Sequence, residues 1–172
     1  MKNNPAVEAL LARLITVLSE EMQMYNELLL VLRKKQRGII SGKLEELQQA
    51  VIEEQLALKK TELVGTARAK SMHDLNAILG DDEQVRTISQ LIAQVESTYA
   101  QRLAELQLGL QKIVKEVAVA NDENRYLLDY SIRFVREAAR ELIKSSDQFP
   151  VYSSKGEGAS TAGSFSIIEG TI

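Results

Sequence analysis

The 172-residue chain contains only two prolines, Pro5 and Pro150, and nearly all of its apolar periodicity lies between them. A proline inside a helix removes a backbone hydrogen bond and clashes with the preceding turn, at about 3 kcal/mol. A long proline-free interval is therefore what long helices require, and Pro5 suits a first helical turn, where its missing N–H is harmless. Aromatic residues are only 5% of the chain and tryptophan is absent, so the apolar content is mostly aliphatic and favours helix over sheet.

The apolar positions divide this interval into three segments. In the first, residues 5–40, Val7, Leu10, Leu11, Leu14, Val17, Leu18, Tyr25, Leu28, Leu29, Leu32 and Ile39 recur mainly at steps of three and four, the signature of one helical face. Glu21 and Lys35 interrupt this stripe, so the seam is imperfect or opens to water there. Ser41-Gly42 forms the first break, where glycine can take the left-handed conformation that ends a helix. Glu45 and Glu46 then suit a new N-terminus. Reading straight through Gly42 would give a two-helix hairpin instead, but a Ser-Gly pair with acids behind it favours a turn.

The second segment, 43–79, carries Leu44, Leu47, Val51, Leu58, Leu63, Leu75 and Ile78. It is the weakest, with Gly65 inside it and an apolar gap from Thr66 to Ser71. Gly80-Asp81-Asp82 makes the second break. The third segment, 84–145, keeps its step over Ile88, Ile92, Val95, Tyr99, Leu103, Leu106, Leu110, Ile113, Val117 and Ala120. Beyond Asn121 and Asn124 it resumes with Leu128, Ser131, Val135, Ala138 and Leu142. At 1.5 Å per residue it would reach roughly 90 Å, against about 55 Å for each of the others. The expected fold is all-α: an elongated antiparallel three-helix bundle or coiled coil with an overlong third helix. Leu127, Leu128, Ile132, Phe134 and Val135 would then lack a partner within the chain. From residue 146 a flexible Ser/Gly-rich tail is expected, carrying Phe149-Pro150-Val151-Tyr152 and the apolar group near 165–172 as short docking elements.

The chemistry of enzymes is not in evidence. Cysteine is absent, and His73 is the single histidine. A di-iron bundle needs Glu-x-x-His on two helices, but Lys70 stands where the glutamate would be. Adjacent acids such as Glu20-Glu21 and Glu53-Glu54 splay over a helix surface. No phosphate-binding glycine loop occurs. No catalytic residue, metal site or cofactor is expected. The net charge of -3 gives no basic face for nucleic acid. The run Arg33-Lys34-Lys35-Gln36-Arg37 reads as the solvated C-terminal end of the first helix. Glu8 and Arg13 interrupt the early apolar positions, so neither a secretory leader nor membrane insertion is expected. Asn121 and Asn124 stand at or beside a seam that would favour leucine, where a polar residue can fix register or partner; a local bend or a solvated turn is the alternative.

Three passages resemble the FlgN family of flagellar export chaperones. They are Ile40-Ser41-Gly42-Lys43-Leu44-Glu45-Glu46-Leu47, the Asn-x-x-Asn-x-x-Leu-Leu pattern of Asn121 to Leu128, and a tail in which Tyr152 precedes a glycine-containing stretch. Here Ser153-Ser154-Lys155 separates Tyr152 from Gly156, where relatives can have Tyr-Gly directly. The resemblance implies a cytoplasmic chaperone that binds terminal helices of the hook–filament junction proteins, prevents their premature self-association and delivers them to the export gate. It implies a client site of Asn121, Asn124, Leu127, Leu128, Ile132 and Val135, with Tyr152 docking on the cytoplasmic domain of the gate. A monomer or weak homo-oligomer is expected. The alternative is a structural homo-oligomeric coiled-coil protein of a secretion or flagellar assembly, and a helical signalling or metal enzyme resting on His73 is the remaining reading.

Overall fold

The computed structural model describes residues 4–79 and 87–146, and among these it contains helices and no strand. Helix α1 spans Pro5–Ser41, α2 Leu44–Leu79, α3 Ile88–Gln94 and α4 Ser97–Ser146. The Gly80-Asp81-Asp82 break, Tyr152 and the Ser/Gly-rich tail lie outside the described residues. The chain divides into two units, residues 1–129 and 130–172.

Local chemistry sets the helix ends. Asn4 caps α1 by accepting from the Ala6 N–H at 3.0 Å, with Pro5 in the first turn. Gly42 closes α1 at φ 65°, and its N–H reaches the Ile39 carbonyl at 3.3 Å. An L side chain in this left-handed conformation would be strained. The turn is tight: a Cβ on Gly38 would come within 3.1 Å of the Leu47 backbone.

In the first unit, α1 and α2 run antiparallel, as a ladder of ion pairs shows. Arg13 meets Asp74 at 3.6 Å, Glu21 meets Arg68 at 2.9 Å, Glu27 meets Lys60 at 3.1 Å, and Lys34 meets Glu53 at 2.7 Å. Positions rise along α1 as they fall along α2. Helix α4 runs parallel to α1, with Arg33 near Glu116 at 3.7 Å and Gln36 donating to Glu123 at 3.0 Å. One core cluster joins Val7, Leu11, Leu14 and Leu18 to Leu75, Leu91, Leu103 and Leu106. Each leucine buried this way contributes roughly 1.5–3 kcal/mol. A second cluster joins Leu28 and Leu32 to Ala57, with Tyr25, Val117 and Ala120 packed against it.

Three sequence expectations change. The third segment is two helices, because Val95 is extended (φ -89°, ψ 167°) and separates α3 from α4. Thr87 and Gln90 form a reciprocal capping box that starts α3 afresh. Periodicity missed the interruption because Ile92, Val95 and Tyr99 all pack on the same core across it. Beside the expected Leu75, the buried face of α2 is small or polar, with Ala50, Ala57, Thr61 and Ser71, whereas Leu44, Leu58, Leu63 and Ile78 are exposed. The basic run does not end α1, whose last turn has no basic residue. Its cations tie the bundle together, with Lys35 also meeting Glu54 at 2.7 Å in a largely enclosed pair.

Glu21 and Lys35, the two charges on the α1 stripe, thus have partners on α2. Burial pushes the Glu21 carboxyl above its ordinary value, and the charge and contact of Arg68 offset this only in part. The folded chain therefore holds this proton at higher pH than the unfolded chain does, so this group's contribution to stability falls as pH rises through the raised value. The Arg68 side chain is 44% exposed, although the Nε that faces Glu21 is buried, and a glutamine at position 21 still offers it an oxygen. Glu21→Gln is predicted to stabilise the fold by about 1 kcal/mol at pH 7.5. Thermal melts should show the gain shrinking as pH falls through the carboxylate range, and a loss at neutral pH would contradict the assignment.

Candidate client-binding surface

Helix α4 is continuous through Asn121 and Asn124, with 50 residues against 37 in α1 and 36 in α2. The two asparagines have different fates. Asn121 is exposed, whereas Asn124 is 1% exposed and its side-chain amide donates to the Leu32 carbonyl of α1 at 2.9 Å. Among the described residues its own oxygen has no hydrogen-bond partner. This contact joins α4 to one turn of α1 in a fixed register, the use a seam asparagine has in coiled coils. The Asn124 side chain is therefore turned into the bundle and away from any surface a client could reach. Leu127 and Leu128 are half-buried in the same unit.

In the second unit, the described residues are the helical stretch 130–146. Here Ile132, Val135, Leu142 and Ile143 are 47%, 64%, 70% and 55% exposed. At about 100° per residue, these four and Ala139 fall within an arc of about 100°. That is the geometry of a packing face, carried by side chains that remain open to solvent. Tyr130 and Phe134, also exposed, stand on the opposite side of the helix. Contiguous exposed apolar surface of this kind makes the stretch the candidate site.

Helix α2 also exposes apolar side chains, among them Ile52, Leu56 and Leu63. No group of three or more His, Cys, Asp or Glu there could hold a metal ion, and no described helix is long and apolar enough to cross a membrane. His73 is exposed on α2. A cleft of about 470 Å³ between α1 and α4 is bordered by Leu29, Arg33, Lys115, Glu116, Val119 and Glu123, with Arg33 and Glu116 paired across it.

The fold is that of an all-helical bundle with an exposed apolar stretch on its last helix. The chain matches the family described as FlgN protein over residues 1–160, and it belongs to that family. Family membership gives it the general role of a flagellar export chaperone. Neither the comparison with curated proteins nor that with solved structures gives a match.

The two sets of residues should respond differently to mutation. Asn124→Ala is predicted to cost about 1–2 kcal/mol, because it removes a buried hydrogen bond to α1 and the packing of the side chain that makes it. Ile132→Asp with Val135→Asp should change stability by less than about 0.5 kcal/mol, since both sites are exposed. Urea unfolding of the three proteins checks both values, and equal losses would remove the distinction.

Proposed function

We propose that this chain is a cytoplasmic export chaperone that holds a terminal helix of a hook–filament junction protein on the apolar arc of residues 132–143. The observation that carries the reading is an amphipathic helix face left exposed in a chain of this family. A client helix laid along Ile132, Val135, Leu142 and Ile143 would bury four aliphatic anchors, as in helix-in-groove recognition. At roughly 1.5–3 kcal/mol each, four anchors suffice for micromolar binding after the cost of association. Covering the client's own apolar stripe in this way would keep it from self-associating before export. Release by competition at the export gate would need no nucleotide or cofactor.

Asn121, Leu127 and Leu128 enter the proposal as flanking positions. The buried Asn124 enters it through the register of α4 against α1. Tyr152 is proposed as the contact for the cytoplasmic domain of the export gate. The same apolar arc could alternatively be covered by a second copy of the chain, which would make the protein a structural coiled coil.

Ile132→Asp with Val135→Asp is predicted to keep full helicity by circular dichroism and to lose capture of a junction protein on co-expression and mass-resolved chromatography. Undiminished capture would place the client elsewhere. A stable homo-oligomer that the same variant dissolves would favour the coiled-coil reading. Tyr152→Ala should retain the client and lose binding to the gate domain; unchanged gate binding would remove the tail from the mechanism.

A further inference from the structure

The apolar arc is bordered by a row of cations. Arg133, Arg136, Arg140 and Lys144 follow one another at steps of three, four and four. At about 100° per residue they form a stripe about 80° wide that begins beside Ile143. The chain as a whole carries a net charge of -3, so this row is not a reflection of composition. Within it Arg136 and Arg140, and then Arg140 and Lys144, are like charges at i,i+4, while Asp129 and Glu137 stand four residues either side of Arg133. Favourable contact with the helix dipole belongs to the last turn, and there α4 has only Lys144. Lys144 meets Glu141 at 2.8 Å, while among the described residues Arg133, Arg136 and Arg140 form no ion pair.

Three arginines without an ion pair among the described residues, along one edge of an exposed apolar face, suit anions supplied by a partner. We propose that the occupant of this face is an amphipathic helix with a row of acidic residues along one edge of its apolar stripe, seated so that its carboxylates meet Arg133, Arg136 and Arg140. This rests on the client-binding reading above and adds to it the charge pattern and orientation of the client. An apolar arc of about three turns matches a partner helix of similar length. An anionic membrane surface fits less well, because Tyr130 and Phe134, the side chains suited to a lipid interface, stand opposite the arc. Exposed charge pairs along such a rim set orientation and partner choice, and weaken with salt.

The test uses the full chain and two synthetic 20-residue helical peptides with the same leucine stripe, one edged with glutamate and the other with lysine. The glutamate peptide is expected to bind about tenfold more tightly at low salt, with the preference shrinking at high salt. Arg133→Glu, Arg136→Glu and Arg140→Glu together should reverse the preference, and the corresponding Gln triple variant should abolish it with helicity unchanged. Equal binding of the two peptides, or preference unaltered in both variants, overturns the proposal. So does stronger binding to phosphatidylglycerol vesicles than to the glutamate peptide. Capture of a junction protein that survives charge reversal sinks the acidic-edge inference and leaves the client reading standing. A reversible peptide preference without any junction-protein capture does the opposite.

Discussion

An amphipathic helix can remove its apolar face from water only where another helix runs beside it. That constraint governs this chain. Helices α1 and α2 are of nearly equal length and are tied by ion pairs from Arg13–Asp74 to Lys35–Glu54. Helix α4 packs its residues 103–124 against them, and its apolar periodicity continues to Ile143. Among the described residues the apolar side chains of that later stretch are exposed.

The bundle also shows how such a chain fixes register without a large core. Small residues on α2 let the helices approach closely, and charges on the seam find specific partners. Lys34 holds the Glu53 carboxyl below its ordinary value through their hydrogen bond. The buried Glu21 and Asn124 each cost stability that leucine would not, and each defines one alignment of helices.

Much of this was legible in the sequence, for identifiable reasons. Every apolar position read for α1 is buried or half-buried, because that helix has partners along its length and a single dominant stripe. Gly42 was readable because few residues other than glycine tolerate its conformation. Helix α2 was misread because its inward face is alanine, threonine and serine, which periodicity of large residues does not detect. The break at Val95 was hidden by an apolar step that survives it, although the Thr87-x-x-Gln90 pair signalled a new helix start. For the site, the exposed arc at Ile132 and Val135 could be foreseen from helix length alone. The inward turn of Asn124 could not be chosen from spacing, since position 121 lies one turn away with the same side chain.

The central claim is that the 132–143 face is open in the free protein and covered when a client is held. Amide hydrogen exchange of the full chain, with and without a hook–filament junction protein, reads this directly. The account predicts fast exchange over residues 130–144 in the free chain and marked slowing there on client addition, with residues 7–32 of α1 little changed. Equal exchange at 130–144 in both states, with slowing confined to another helix, would contradict it.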